Sequence, residues 1–144
     1  MPWLWRFHCS LFFILFSLFF NGGVPNMKKE NPLLNKCLLF AARIVKLNKY
    51  LIKEKRETVI AKQIIRSATS IGANANEAIY GISKADFIAK LQISLKETAE
   101  TEYWLRLLML SEYISEVEGN SLLADCLEIK KILISSLNTA KENR

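Results

Sequence analysis

The chain has a single histidine among its 144 residues, and this scarcity excludes the commonest kinds of catalytic site. His8 is that histidine, and it precedes residues 27–144, where the other sequence patterns lie. A Ser-His-Asp or Cys-His site cannot form within residues 27–144. A di-iron bundle, which needs two Glu-x-x-His motifs, is excluded as well. The three cysteines form no CxxC pair. We therefore expect a non-enzymatic protein with no metal and no cofactor.

Proline and glycine are also scarce. The three prolines are at positions 2, 25 and 32, and there are only five glycines. Leu, Ile, Ala, Lys and Glu dominate the rest of the chain, and these residues favour helices. The expected fold class is therefore all-α. Cys37 and Cys126 lie among apolar residues and are predicted to be buried.

Apolar residues at three- and four-residue spacing predict four helices within residues 27–144. The first helix is predicted to start at Asn31 and Pro32, and the second to start at Glu57 or Thr58 and end near Gly81. The third is predicted to start at Ser83 and Asp86. A loop is predicted to end at Gly119, so that Asn120 or Ser121 starts the fourth helix. Four helices joined by short turns indicate an up-down-up-down bundle.

Residues 1–26 do not share this pattern. The apolar run from Cys9 to Phe20 is shorter than the roughly 20 residues of a spanning helix. It has the length of a signal-peptide core, but NGGVPN after it lacks an A-x-A cleavage pattern. Codons for Gly22-Gly23 can form a ribosome-binding sequence before Met27. We therefore expect a cytoplasmic domain of residues 27–144 preceded by a mis-assigned extension, 1–26. The alternative is a membrane-associated or exported protein, and a membrane is an expected partner only if residues 1–20 are retained.

The stretch IIRSATSIGANANEA, residues 64–78, combines small and polar residues with helical spacing. A phosphate-binding loop would need a preceding strand and several glycines, whereas this stretch has one glycine inside a helical pattern. We interpret it as a seam of small residues, Ala68, Gly72, Ala75 and Ala78, that permits close helix packing within or between protomers. Ser67, Ser70 and Asn74 are expected to form hydrogen bonds across this seam.

Carboxylates provide the remaining candidates for acid–base chemistry: Glu77, Glu97, Glu100 and Glu102. Solvated or paired helix charges explain them better. Glu102 falls on the apolar stripe of the third helix, so we expect it to be partly buried and paired with Arg66, because an unpaired buried charge is costly.

Positive charge is concentrated in the first helix and the turn after it. Residues 27–56 carry nine Lys/Arg and two acidic residues, a net charge of +7, whereas residues 57–114 and 115–144 each carry −1. The candidate nucleic-acid-binding residues are Lys46, Lys49, Lys53, Lys55 and Arg56. A solvated helix face is the alternative. Because no aromatic-stacking module accompanies the cluster, we expect little sequence specificity.

The segment YWLRLLML, residues 103–110, is apolar on nearly all sides, whereas a surface helix would have one polar face. Burial against both the protomer core and a neighbouring subunit explains this pattern. A central helix buried within its own monomer explains it equally well.

The segment from RSATSIGANANEA to SKADFIAKLQISLKETAETEYWLRLL resembles the 23S rRNA intervening-sequence proteins, a bacterial four-helix-bundle family, over residues 33–114. The family pattern of Arg, S-I-x-x-N and Glu is matched by Arg66, Ser70, Ile71, Asn74 and Glu77. Its later aromatic and carboxylates correspond to Phe87, Glu97, Glu100 and Glu102. Many members have Ile-Ala-Glu-Gly where this chain has ANEA, and one branch has N-x-N-E-A as here.

The resemblance implies a four-helix protomer that assembles into a ring-like homopentamer. Some members are encoded inside insertions in ribosomal RNA genes, and a related group assists diversity-generating retroelements through basic surfaces that contact nucleic acid and a reverse transcriptase. We expect Arg66, Ser70, Asn74, Glu77 and Glu102 to specify packing and assembly. The expected function is a scaffold or accessory factor for RNA, DNA or a nucleic-acid-processing protein. The alternative is a self-assembling module without a nucleic-acid role.

Overall fold

A computed structural model describes residues 31–142 of the chain, and this part is all-helical with no strand. The four helices are α1, Pro32–Lys53, α2, Val59–Ile79, α3, Lys84–Leu110, and α4, Glu116–Glu142. Each helix packs on the next in chain order, and α4 also contacts α1. The predicted all-α four-helix bundle is confirmed. The predicted extension, residues 1–26, lies outside the described residues.

The predicted starts of α1 and α3 are confirmed by their caps. Asn31 Oδ1 accepts a hydrogen bond of 3.0 Å from the Leu33 amide, and Pro32 occupies the first helical position. At α3, Ser83 Oγ accepts a 3.1 Å hydrogen bond from the amide of Asp86. Each side chain satisfies an amide that the first helical turn leaves without a backbone partner.

Glu57 caps α2, a role that the sequence did not reveal. Its carboxylate accepts hydrogen bonds of 2.8–2.9 Å from the amides of Val59, Ile60 and Ala61. Thr58, directly before the helix, makes no side-chain cap. Glu57 is only 9% exposed, and the three amides that it binds lie at the positive end of the helix dipole.

The predicted start of α4 is wrong. The helix begins at Glu116, before Gly119, and Ser115 and Glu118 form a capping box. Ser115 Oγ accepts from the Glu118 amide at 3.3 Å, and the Glu118 carboxylate accepts from the Ser115 amide at 3.4 Å. Gly119 is therefore buried inside the helix, where a Cβ would lie 2.3 Å from the Met109 side chain. Its missing side chain allows α3 to pass close to the first turn of α4.

The small-residue seam predicted in α2 is confirmed. Ala68, Ala75 and Ala78 are buried, and a Cβ built on Gly72 would lie 3.2 Å from Cys37 Cβ on α1. Here α2 is a continuous helix, which excludes the phosphate-loop interpretation. The absence of large side chains brings the α1 and α2 backbones close together.

Hydrogen bonds between α2 and α3 accompany this close packing. Thr101 Oγ1 lies 2.9 Å from Ser67 Oγ, and Ser94 Oγ donates to the Ile71 carbonyl at 2.8 Å. Three polar side chains of α3, Ser94, Thr98 and Thr101, are fully buried, and each forms hydrogen bonds. The core-facing side of α3 is thus partly polar, and several of its large apolar residues, Ile93, Tyr103 and Leu110, are exposed.

Within residues 31–142, no helix combines the length and the apolar character that crossing a bilayer requires.

Candidate nucleic-acid interface

The five predicted basic residues form one exposed surface, called the basic face below. Lys46, Lys49 and Lys53 follow each other at three- and four-residue spacing on α1, so they lie along one side of the helix. Lys55 and Arg56 extend the surface into the turn after α1. All five residues are exposed. The structure therefore places side by side the cations that the sequence singled out.

Ion pairing separates the basic face from the other cations of α1. Lys36 pairs with Glu128 at 2.9 Å, and Arg43 pairs with Asp125, so both tie α1 to α4. Within the described part of the chain, no basic-face residue has a carboxylate within ion-pairing distance. The cations of the basic face are therefore not held in ion pairs, and their side chains are exposed to solvent.

A tyrosine that the sequence analysis missed lies beside these cations. Tyr50 is 38% exposed, and the Lys55 ammonium lies 5.8 Å from its ring centroid. Because Tyr50 follows Lys46 by four residues and precedes Lys53 by three, all three share one side of α1. That spacing was visible in the sequence, but it did not show whether the ring is exposed.

Tyr50 lines two adjoining cavities at one end of the bundle. The larger, about 930 Å³, also contacts Lys55, Arg106 and Tyr113. The smaller, about 580 Å³, lies between α1 and α4. Tyr50 borders both, as do Ile114 and Glu118, and we call the combined space the α1–α4 groove. It places an aromatic ring, lysines and an apolar wall next to one another.

The residues of the predicted assembly motif mostly face outward. Arg66 and Glu77 are exposed, and Ser70 and Asn74 are partly exposed. Asn74 donates to the Ser70 carbonyl of its own helix at 2.9 Å, so the predicted bonds from these two residues across the seam are absent from the described protomer. Glu77 does reach α3, accepting a 2.5 Å hydrogen bond from Lys90 that raises the Lys90 pKa. A role for the motif between protomers stays a prediction.

Glu102 is partly buried as predicted, with its side chain 17% exposed, but its predicted pairing with Arg66 is wrong. The carboxylate accepts from Lys130 of α4 at 2.8 Å and from Arg106, one turn along α3, at 2.9 Å. These hydrogen bonds, first that of Lys130 and then that of Arg106, lower the Glu102 pKa. Glu102 does not reach Arg66 of α2 because it lies on the side of α3 that meets α4.

Arg66 lies close enough to Glu97 for its charge to affect the pKa of that carboxylate. The pKa of Glu97 is raised by burial and by the neighbouring charge of Glu100, and the Arg66 charge opposes this rise. Glu100 also accepts a 3.1 Å hydrogen bond from the Trp104 indole. The α2–α3 side thus carries a carboxylate pair that the sequence had indicated, together with a cation that moderates its repulsion.

The cysteines are buried as predicted. Burial raises the pKa of the Cys37 thiol to about 11 and, as the main cause, that of Cys126 to about 12. Both therefore stay neutral near pH 7 and serve as small core residues. Among the described residues, no three His, Cys, Asp or Glu side chains are grouped as a metal site requires.

Residues 29–135 match the model of the 23S rRNA-intervening sequence protein family. The chain belongs to this family. The match covers most of α1–α4, including the basic face, the small-residue seam and the partners of Glu102.

A crystal structure supports the family membership. It is that of a protein of unknown function from the S23 ribosomal protein family of Bacteroides thetaiotaomicron, and it is 53% identical in sequence to this chain. The similarity covers 73% of this chain and 97% of the relative, with a TM-score of 0.72. No curated protein matches the chain. The fold and the family of the chain are thus established.

Proposed function

We propose that the chain is a non-enzymatic, cytoplasmic, self-assembling bundle that binds nucleic acid, or a nucleic-acid-processing protein, through the basic face. The single observation that supports this function is the row of exposed cations on α1 and its turn without carboxylate partners. Lys and Arg that are not ion-paired can neutralise phosphates and release counterions, which is the main source of affinity in nonspecific nucleic-acid binding.

Self-assembly is supported by the outward side of α3. Tyr103 is 59% exposed and Leu110 is 84% exposed in the protomer, and Ile93 is exposed on the same helix. The protomer therefore does not bury them as a central helix would. A second copy that covers them would remove this apolar surface from water. We propose that the four helices run up-down-up-down. We also propose that the protomers form a ring-like homopentamer, as the family resemblance implies. Each subunit would then add a basic face to the assembly.

Charge reversal tests the nucleic-acid role. Lys49→Glu with Lys53→Glu should weaken binding of the full chain to generic RNA and DNA at low salt, and adding Lys46→Glu should abolish it. The matched control is Lys131→Glu with Lys141→Glu, which makes the same charge change at exposed positions of α4 and should retain most of the affinity. Binding that survives the triple reversal, or wild-type protein that binds no nucleic acid at low salt, would refute the basic-face mechanism.

A purely structural module is the alternative, and the exposed apolar side of α3 favours it equally. Light scattering separates the assembly claim from the nucleic-acid claim. We expect a homo-oligomer for wild type and smaller particles for Tyr103→Glu with Leu110→Glu. A monomeric wild type would contradict self-assembly, whereas an oligomer without nucleic-acid affinity would support the alternative. Mass spectrometry of the endogenous N-terminus tests the Met27 start, and a peptide spanning residues 20–28 would contradict that start.

A further inference from the structure

The α1–α4 groove joins an exposed aromatic ring to phosphate-binding cations, two features that the basic face alone does not combine. One wall is α1, with Lys46, Leu47 and Tyr50. Apolar residues supply much of the other wall, among them Ile114 and Val117, which is 81% exposed. A purely electrostatic site for a duplex backbone needs neither an accessible ring nor an apolar wall.

We propose that this groove binds single-stranded nucleic acid, with one unpaired base stacked on Tyr50 and the adjoining phosphates bound by Lys46, Lys53 and Lys55. This inference rests on the proposed nucleic-acid function and narrows its substrate class. Stacking on an aromatic ring requires a base with an open face, whereas in a duplex both faces of each base are covered by the neighbouring base pairs.

The spacing of side chains suits such a nucleotide. Lys46 and Lys53 lie one helical turn before and after Tyr50, where side chains of a helix are neighbours. The Lys55 ammonium lies over one face of the ring, 5.8 Å from its centroid, and a base stacked on that face would displace it toward the phosphate. A phosphate attached to a base on Tyr50 therefore has cations on several sides. Any π face of a base can stack, so this arrangement implies little sequence preference.

The distribution of charge in the groove determines which wall the phosphates of a bound strand would face. Lys46 and Lys55 line the groove from α1 and its turn, whereas Glu112, Glu116 and Glu118 line the facing wall, at the α3–α4 turn and the start of α4. Arg106 of α3 also lines that wall, and Glu118 borders both cavities. Phosphates are repelled from these carboxylates and attracted to α1. The backbone of a bound strand should therefore follow α1, and its bases should point toward Tyr113 and Ile114 across the groove.

The test compares three 20-nucleotide probes at one salt concentration: a single strand, the same strand with abasic sites, and the duplex. The abasic strand has the same phosphate charge but no bases to stack. We expect wild type to bind the single strand about tenfold more tightly than the abasic strand, as expected for one stacked base. Tyr50→Leu, which keeps an apolar side chain, should lower single-strand affinity to the abasic level and leave duplex affinity unchanged. Tyr50→Phe should bind like wild type.

Tyr80→Ala is the matched control, because Tyr80 is 79% exposed at the end of α2 and does not line the groove. Circular dichroism verifies that each variant is folded. Equal affinity of wild type for intact and abasic strands, or no loss with Tyr50→Leu, would overturn the single-strand inference. If the triple lysine reversal still abolishes binding in that case, the proposed function stands. If wild type binds none of the probes at low salt, both fail.

Discussion

Removal of the Glu102 carboxylate should weaken the contact between α3 and α4. Glu102 bridges Lys130 on α4 and Arg106 on α3, and its side chain is only 17% exposed. Glu102→Ala removes the hydrogen bond from Lys130 and the two from Arg106 together, and it leaves the two cations without a carboxylate between them. Because Lys130 and Arg106 retain side-chain exposures of 32% and 54%, both can be rehydrated in part.

The magnitude follows from this exposure. A hydrogen bond to a charged group contributes about 1.5–3 kcal/mol when shielded from water. An exposed ion pair contributes about 0.2–1 kcal/mol. The contact with Lys130 is better shielded than that with Arg106, so we assign about 1.5 kcal/mol to the Lys130 bond and about 0.5 kcal/mol to the Arg106 ion pair. We therefore expect Glu102→Ala to lower the free energy of unfolding by about 2 kcal/mol.

The loss should depend on pH in a definite direction. The Glu102 pKa is lowered from 4.5 in the folded protein, so its stabilising effect is fully present above pH 4.5. As pH falls below 4.5 and through the folded pKa, the carboxylate is protonated and this contribution disappears. Urea unfolding at pH 7 and at several values below 4.5 should show the difference between wild type and Glu102→Ala shrinking with acid.

A matched control and a double-mutant cycle complete this test. Glu112→Gln removes one negative charge at an exposed position of the α3–α4 turn and should change stability little. Glu102→Ala and Lys130→Met, measured singly and together, should show a coupling of about 1 kcal/mol or more, as contacting charged residues do. Equal effects of Glu102→Ala and Glu112→Gln, or a coupling near zero, would refute the reasoning.

Three further predictions concern the caps, the seam and the thiols. Glu57→Ala leaves three amides of α2 without their carboxylate and should cost about 1–2 kcal/mol in urea unfolding; an unchanged midpoint would contradict the cap. Gly72→Leu should destabilise the bundle by at least about 2 kcal/mol because α1 lies against this position, whereas Ala73→Leu, at the exposed neighbour, should be tolerated in a thermal melt. Cys37 and Cys126, with pKa values of about 11 and 12, should resist alkylation at pH 8 until urea unfolds the protein; peptide mapping that finds either one labelled under native conditions would contradict their burial.

Much of the fold follows from local signals in the sequence. Asn31 before Pro32 marks the start of α1, and Ser83 marks that of α3, because a capping side chain bonds amides two or three residues away. The start of α4 was also marked, by Ser115 and Glu118, but Gly119 suggested a loop. Its small size instead serves the contact with Met109, a tertiary requirement that no local pattern expresses.

The candidate site was predictable in part for the same reason. Lysine spacing on one helix places the basic face, since helical geometry relates residues within a few turns. The partner of Glu102 depends on how α4 is aligned against α3, and the exposure of Tyr50 depends on how closely α4 approaches α1. Both are relations between helices distant in sequence, so a periodic pattern could not decide them.

The most direct measurement of the central claim is the salt dependence of binding to single-stranded RNA. Four phosphate contacts by the basic face would give a slope of log affinity against log salt of about −2.8, and affinity would fall about 50-fold between 50 and 200 mM salt. Lys49→Ala should make the slope shallower by about 0.7. A slope near zero, or the same slope after Lys46, Lys49 and Lys53 are all changed to Glu, would contradict binding through the basic face.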